Sequence, residues 1–108
     1  MPPKSYRYEI AEDVFVTVHV ENSKNKVTSF VVKLEILLNN ILFELVRYDT
    51  AHGGVHRDTL LPNGNKHRVT FLHHLDFKSG LDYAIHDVEQ NWEFYVERFE
   101  RWLREKEN

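Results

Sequence analysis

Between Arg47 and Asp58 the chain reads RYDTAHGGVHRD. This stretch gathers Arg47, Asp49, His52, His56, Arg57 and Asp58 around a Gly53-Gly54 bend. Those side chains are suited to general acid–base or phosphate chemistry. Imidazole titrates near neutrality and passes protons, guanidinium holds a phosphate in a two-pronged grip, and a carboxylate orients an imidazole or activates a hydroxyl. On this reading His52, His56, Asp49 and Asp58 are the candidate catalytic groups, and Arg47 and Arg57 hold the ligand. The plain alternative is a capped turn: Asp49 and Thr50 bond to nearby backbone, the glycines relieve strain and the charges face water. The density of side chains argues for more, because a turn needs one Asx residue and one glycine, not two histidines and two arginines besides.

The elements that must position this bend are legible on both sides of it. Val14, Val16, Val18 and Val20 alternate with semi-polar residues, as in a half-buried strand. After the turn residues Asn22 to Lys26, a second strand runs from Val27 to Leu38 with Phe30, Val32, Leu34, Ile36 and Leu38 on one side. Asn39-Asn40 is a two-residue reversal, since asparagine tolerates positive φ. The count from it sets Ile36 opposite Phe43 and Leu34 opposite Leu45. Leu61-Pro62-Asn63-Gly64 supplies the next hairpin turn, from which the count pairs Asp58 with Arg68 and Thr59 with His67. Tyr6 to Ile10 is a short further strand whose partner is left open.

From Ser79 the period changes to that of a helix. Ser79 and Asp82 have the spacing of a capping box, and the helix is expected to run to about Arg104, roughly 39 Å. Leu81, Ala84, Ile85, Val88, Trp92, Tyr95, Val96, Phe99, Trp102 and Leu103 form one apolar stripe. Beside it Tyr83, Asp87, Asn91, Phe94 and Arg98 make a narrow strip, and Asp87, Asn91 and Arg98 are further candidate binding residues. If the Arg47–Asp58 bend folds against this strip, all of these groups share one cleft. The fold expected is α+β, an antiparallel β-meander of about five strands packed by one long C-terminal amphipathic helix, and 108 residues make a single domain, 1–108.

Composition narrows the functional classes. The chain is 42% hydrophobic and 13% aromatic, well inside the range of packed globules. It has no cysteine, so disulfides and thiolate chemistry are excluded and a cytoplasmic location is expected. Met1-Pro2-Pro3-Lys4 lacks a signal peptide's apolar core, and no apolar run approaches membrane-spanning length, so no membrane association is expected. A net charge of −3 gives no general attraction to phosphate, which leaves any such binding to local clusters. Five of the seven histidines lie between His52 and His74. His52 and His56 span a bend rather than a helical turn, and His73 and His74 would point to opposite faces of a strand, so neither a metal nor a cofactor is expected.

Arg47-Tyr48-Asp49-Thr50 at a strand end, followed by a histidine-bearing polar stretch, resembles the small TumE-type proteins of prokaryotic toxin–antitoxin pairs. Thr50 and the long aromatic helix depart from that pattern. The resemblance, over residues 44 to 76, implies action on RNA, an antitoxin partner, and Arg47, Asp49, His52 and His56 as the corresponding polar residues. Three functions are therefore weighed. The foremost is a non-enzymatic interaction module that dimerises through the C-terminal helix, whose Trp102-Leu103 end either overhangs the sheet as a dimer contact or belongs to a helix that frays past Glu100. The others are a metal-independent ribonuclease working through the His/Arg/Asp bend, and a binding protein for a small anion held by Arg47, Arg57 or Arg98.

Overall fold

The computed structural model describes residues 3–107. Met1 and Pro2, part of the N-terminal stretch considered above, and Asn108 lie outside the described residues. The fold is α+β. Six strands, β1 (Lys4–Ala11), β2 (Val14–Ser23), β3 (Lys26–Leu38), β4 (Ile41–Asp49), β5 (His56–Leu60) and β6 (Lys66–Phe71), follow one another across a fully antiparallel meander. One helix, α1 (Phe77–Glu107), lies over one face of the sheet. The additional strand is the N-terminal one, which pairs along β2 from Lys4↔Val20 to Ala11↔Val14.

Alternation decides what the helix covers. Val14, Val16, Val18 and Val20 of β2 and Phe30, Val32, Leu34 and Ile36 of β3 are buried beneath Leu81, Ala84, Val88, Tyr95, Val96 and Phe99 of α1. The tight turns follow from residues that tolerate positive φ, with Asn39 at 52° and Asn40 at 63°. Ile36 lies opposite Phe43 as the count from this turn requires, but Leu34 lies opposite Val46 rather than Leu45. A bulge makes Leu45 the extra residue and reverses the alternation beyond it. Tyr48 is thereby turned toward the helix, and Arg47 and Asp49 away from it.

A second bulge lies in the β5–β6 hairpin. Its turn closes with Gly64 N–H donating to the Leu61 carbonyl at 2.9 Å, Gly64 having φ of 88°. Asp58 then pairs with Val69 and Thr59 with Arg68, so the expected Asp58–Arg68 and Thr59–His67 pairs do not form. One residue of slip carries Arg68 to the helix side of the sheet.

The helix starts earlier than the Ser79 capping box suggests. Asp76 is its N-cap, with Oδ1 accepting the Ser79 backbone N–H at 2.7 Å. That bond holds the Asp76 carboxyl below the ordinary carboxylate range. At 31 residues the helix is roughly 46 Å long, close to the 51 Å long axis of the molecule. Its far end is engaged within the chain: Trp102 and Leu103 are partly buried against the core, and the Trp102 ring lies 4.8 Å from that of His67. No helix among the described residues is long and apolar enough to cross a membrane.

Candidate functional site

Strands β4 and β5 place sequence neighbours on opposite faces of the sheet, and the single cleft expected from the sequence is in fact two sites. Arg57 points to the helix side, where Asp87, Asn91 and Arg98 lie. Arg47, Asp49, His56 and Asp58 point to the outward side, where His52 joins them at the rim of one cleft. Pleating is the physical cause, since residues i and i+1 of a strand cannot share a face.

The helix-side site is built on Asp87. Its Oδ2 accepts the hydroxyls of Tyr48 at 2.6 Å and Tyr95 at 2.7 Å, and its Oδ1 accepts the Asn91 amide at 2.7 Å. Arg57 Nη1 stands 3.6 Å from the same carboxylate and 3.4 Å from each tyrosine hydroxyl. Burial, followed by the bond to Asp87, pushes both phenols well above their ordinary pKa, so each hydroxyl keeps its proton and donates it. Burial opposes the charge on Arg57, but Tyr48, Tyr95 and Asp87 together hold its pKa above the usual guanidinium value.

This network opens into a pocket of about 260 Å³ between the β5–β6 edge and α1, lined by Arg57, Thr59, His67, Arg68, Phe94, Tyr95 and Arg98. The Arg98 guanidinium lies 5.0 Å from the Phe94 ring centre, 5.4 Å from Tyr95 and 4.9 Å from Trp102, within cation–π range of all three. Its pKa is lowered by burial and by the repulsion of Arg57, Arg101 and Arg68. The Nε atoms of Arg57 and Arg98 are buried without an acceptor among the described residues. Of the groups here, the sequence singled out Arg57, Asp87, Asn91 and Arg98. Tyr95 was read only as part of the apolar helix stripe, Tyr48 was given no role of its own, and the missed bulge paired Arg68 with Asp58, on the other face. The eight-residue spacing of Asp87 and Tyr95 on one helix side was the available signal.

The outward site is an open cleft of about 380 Å³. His56 and Asp49 are cross-strand partners, and Asp58 follows His56 by two residues on the same face. His56 Nε2 lies 3.1 Å from Asp49 Oδ1 and 3.9 Å from Asp58 Oδ2. Its Nδ1 lies 3.3 Å from the Gly54 carbonyl oxygen. Asp49 also accepts the Ala51 backbone N–H at 2.8 Å and Arg47 Nε at 3.1 Å. Although burial opposes ionisation of Asp49, the Ala51 N–H, the bond and charge of Arg47 and the neighbouring His56 leave its pKa below the ordinary carboxylate value.

The bend that connects β4 to β5 is a short 3₁₀ turn, Ala51–Gly53, in which exposed His52 has φ of 63°. Thr50 Oγ1 accepts the Phe30 N–H at 3.2 Å, anchoring the bend to β3. Gly54 packs closely under the exposed His73 side chain, whose ring would have to move for a Cβ there, 2.4 Å away, to fit. His73 and His74 occupy the turn after β6, not a strand. Glu44 and Lys66, which the sequence did not single out, complete the cleft.

Asp49, His56 and Asp58 have ligand atoms within 4.8 Å of one another and are the described residues able to hold a metal ion. The set is one histidine with two aspartates, a combination not considered when the histidines alone were weighed as ligands. Neither curated proteins nor solved structures gave a match to this chain. Residues 1–105 match the family described as a domain of unknown function, DUF7718, so the chain belongs to that family.

Proposed function

We propose that the protein is a binding module for a phosphate-bearing ligand with a flat ring, the chemistry of a nucleotide unit, held in the pocket between β5, β6 and α1. The observation that carries this reading is the set of Arg57, Arg68 and Arg98 around one pocket whose seven lining side chains are all neutral or cationic, in a chain of net charge −3. A guanidinium pair grips phosphate oxygens with directed hydrogen bonds. Phe94, 56% exposed beside Arg98, offers a face for ring stacking, which in single-strand recognition contributes about 1–3 kcal/mol per base. The Tyr48–Asp87–Tyr95 network fixes the Arg57 guanidinium in advance, and less side-chain freedom is then lost on binding.

The test is titration with adenosine and uridine monophosphates and a short oligouridylate, followed by calorimetry and by the fluorescence of Trp102, which touches Arg98. Arg98→Met keeps the apolar stem and is expected to weaken binding at least tenfold, about 1.4 kcal/mol. Affinity should fall as salt is raised. Absence of binding by all three ligands at low salt overturns the reading.

A second reading, a homodimer through the C-terminal helix, is favoured by Tyr83 and Phe94, 46% and 56% exposed. They lie eleven residues apart, three helical turns, on one side of α1. Sedimentation then shows a mass that doubles with concentration, and Phe94→Asp abolishes the doubling. A monomer at all concentrations refutes it.

A further inference from the structure

We propose that the outward cleft is a divalent metal site in which Asp49, His56 and Asp58 hold a first-row ion of the Mn²⁺ or Zn²⁺ type. The site lies on the sheet face away from α1 and does not depend on the ligand pocket.

Three observations converge on it. The first is spacing. Two ligands each about 2.1 Å from a common ion stand roughly 3.0–3.4 Å apart in octahedral or tetrahedral geometry. His56 Nε2 is already 3.1 Å from Asp49 Oδ1, while Asp58 Oδ2, 3.9 Å from it, has to draw in on binding, all three ligand atoms lying within 4.8 Å of one another. All three residues project from paired strands, so the arrangement is fixed by the ladder and not by a loop.

The second is the orientation of the imidazole. With Nδ1–H donating to the Gly54 carbonyl, the neutral ring carries its lone pair on Nε2, facing the two carboxylates. A metal-bound histidine commonly shows this outer hydrogen bond, which sets the tautomer and raises the basicity of the ligating nitrogen. Asp49 is held in a comparable way by the Ala51 N–H and Arg47.

The third is an unmet charge. The Asp58 side chain is only 4% exposed, and its Oδ1 is buried with no hydrogen-bond partner among the described residues. The nearest cation is Lys66 Nζ, 3.5 Å from Oδ2, on a side chain 59% exposed and free to swing into water. Burying a carboxylate is costly unless it is paired or coordinates a metal. Glu44, in the same cleft, is by contrast ion-paired, with Arg47 Nη1 3.6 Å from its Oε1 and Lys33 Nζ 3.9 Å from its Oε2. Arg47, Lys66 and Lys33 match the three carboxylates in number, yet Asp58 Oδ1 still lacks a donor among the described residues. The mixed oxygen and imidazole set suits Mn²⁺ or Zn²⁺. Three protein ligands beside an open cleft also leave positions for water or substrate, as catalytic sites do.

The experiment uses the full chain, dialysed against a chelator and titrated with MnCl₂ and ZnCl₂ by calorimetry, with free Mn²⁺ followed by electron paramagnetic resonance. The result expected is one ion per chain for at least one of the two metals, with a rise in melting temperature. Asp58→Asn and His56→Gln, each checked for folding by circular dichroism, should weaken binding at least tenfold. The double variant His73→Ala, His74→Ala should leave it unchanged. Absence of stoichiometric binding by both metals overturns the proposal, as does binding that survives Asp58→Asn and His56→Gln or disappears with His73 and His74.

Discussion

Asp87 and Asp58 are both buried carboxylates served by the strand pair β4–β5, one from the helix side and one from the outward side, and they are treated very differently. Asp87 accepts two tyrosine hydroxyls and an amide and has Arg57 within 3.6 Å. Asp58 faces a histidine 3.9 Å away and a mostly exposed lysine, with one oxygen unmet. Glu35, also on the outward face, shows that this face can satisfy a carboxylate within the chain. It takes two contacts from Arg7, at 3.2 and 3.4 Å, and a bond from Thr17. Where partners are supplied by neighbouring strands, a buried charge belongs to the framework. Where they are withheld, as at Asp58, the sheet holds a charge that calls for a partner from outside.

The largest effect that separates the two should come from Asp87. Asp87→Ala leaves the Tyr48 and Tyr95 hydroxyls and the Arg57 guanidinium without their shared acceptor. A loss of about 3 kcal/mol is expected by urea denaturation, from the cost of stranding partners of a buried charged group. A loss below about 1 kcal/mol would show that the network is incidental to the fold.

A second effect of the same network is alkaline. The folded chain holds the Tyr48 and Tyr95 protons more tightly than the unfolded chain does, because burial and Asp87 disfavour the phenolates. The stability this contributes is complete below pH 10, the ordinary phenol value, and declines as pH rises above it toward the folded-state values. Absorbance at 295 nm should show these two tyrosines ionising only together with loss of helical circular dichroism. Tyr8, less buried and raised to about 12, is the intermediate case. Full ionisation of all five tyrosines in a still-folded chain would contradict the buried network.

The comparison also explains which parts could be read from residue order. Period-2 valines, the Asn39-Asn40 reversal and the 3.6-residue stripe each encode local geometry, and the meander and helix follow from them. The strip of Asp87, Asn91 and Arg98 was legible for the same reason, as helical spacing is unambiguous. The division of Arg47–Asp58 into two sites was legible in principle, since His56 and Arg57 alternate, but it requires knowing which face the helix covers. The bulges at Leu45 and in the β5–β6 hairpin were not legible. A one-residue insertion in a ladder is set by packing on both sides, and it alone decides that Tyr48 meets Asp87 and that Arg68 joins Arg57. The helix start was displaced by competition between caps: Asp76 accepts the N–H of Ser79, the residue expected to do the capping.

The smallest effect is the most discriminating, because its sign differs. Asp58→Asn removes a charge that no nearby group fully compensates and keeps the side chain's shape. In metal-free protein it should raise stability, by up to about 1 kcal/mol, in line with buried ionic groups whose replacement is neutral or favourable. The same change at a satisfied site, Glu35→Gln, should lower stability, since Arg7 and Thr17 lose an ionised acceptor. Adding Mn²⁺ or Zn²⁺ should then reverse the order at position 58, with the native chain gaining stability from bound metal and the variant gaining little. A metal-free Asp58→Asn variant that is markedly less stable than the native chain would mean that Asp58 is already satisfied within the fold. The contrast between the two faces of the sheet would then disappear.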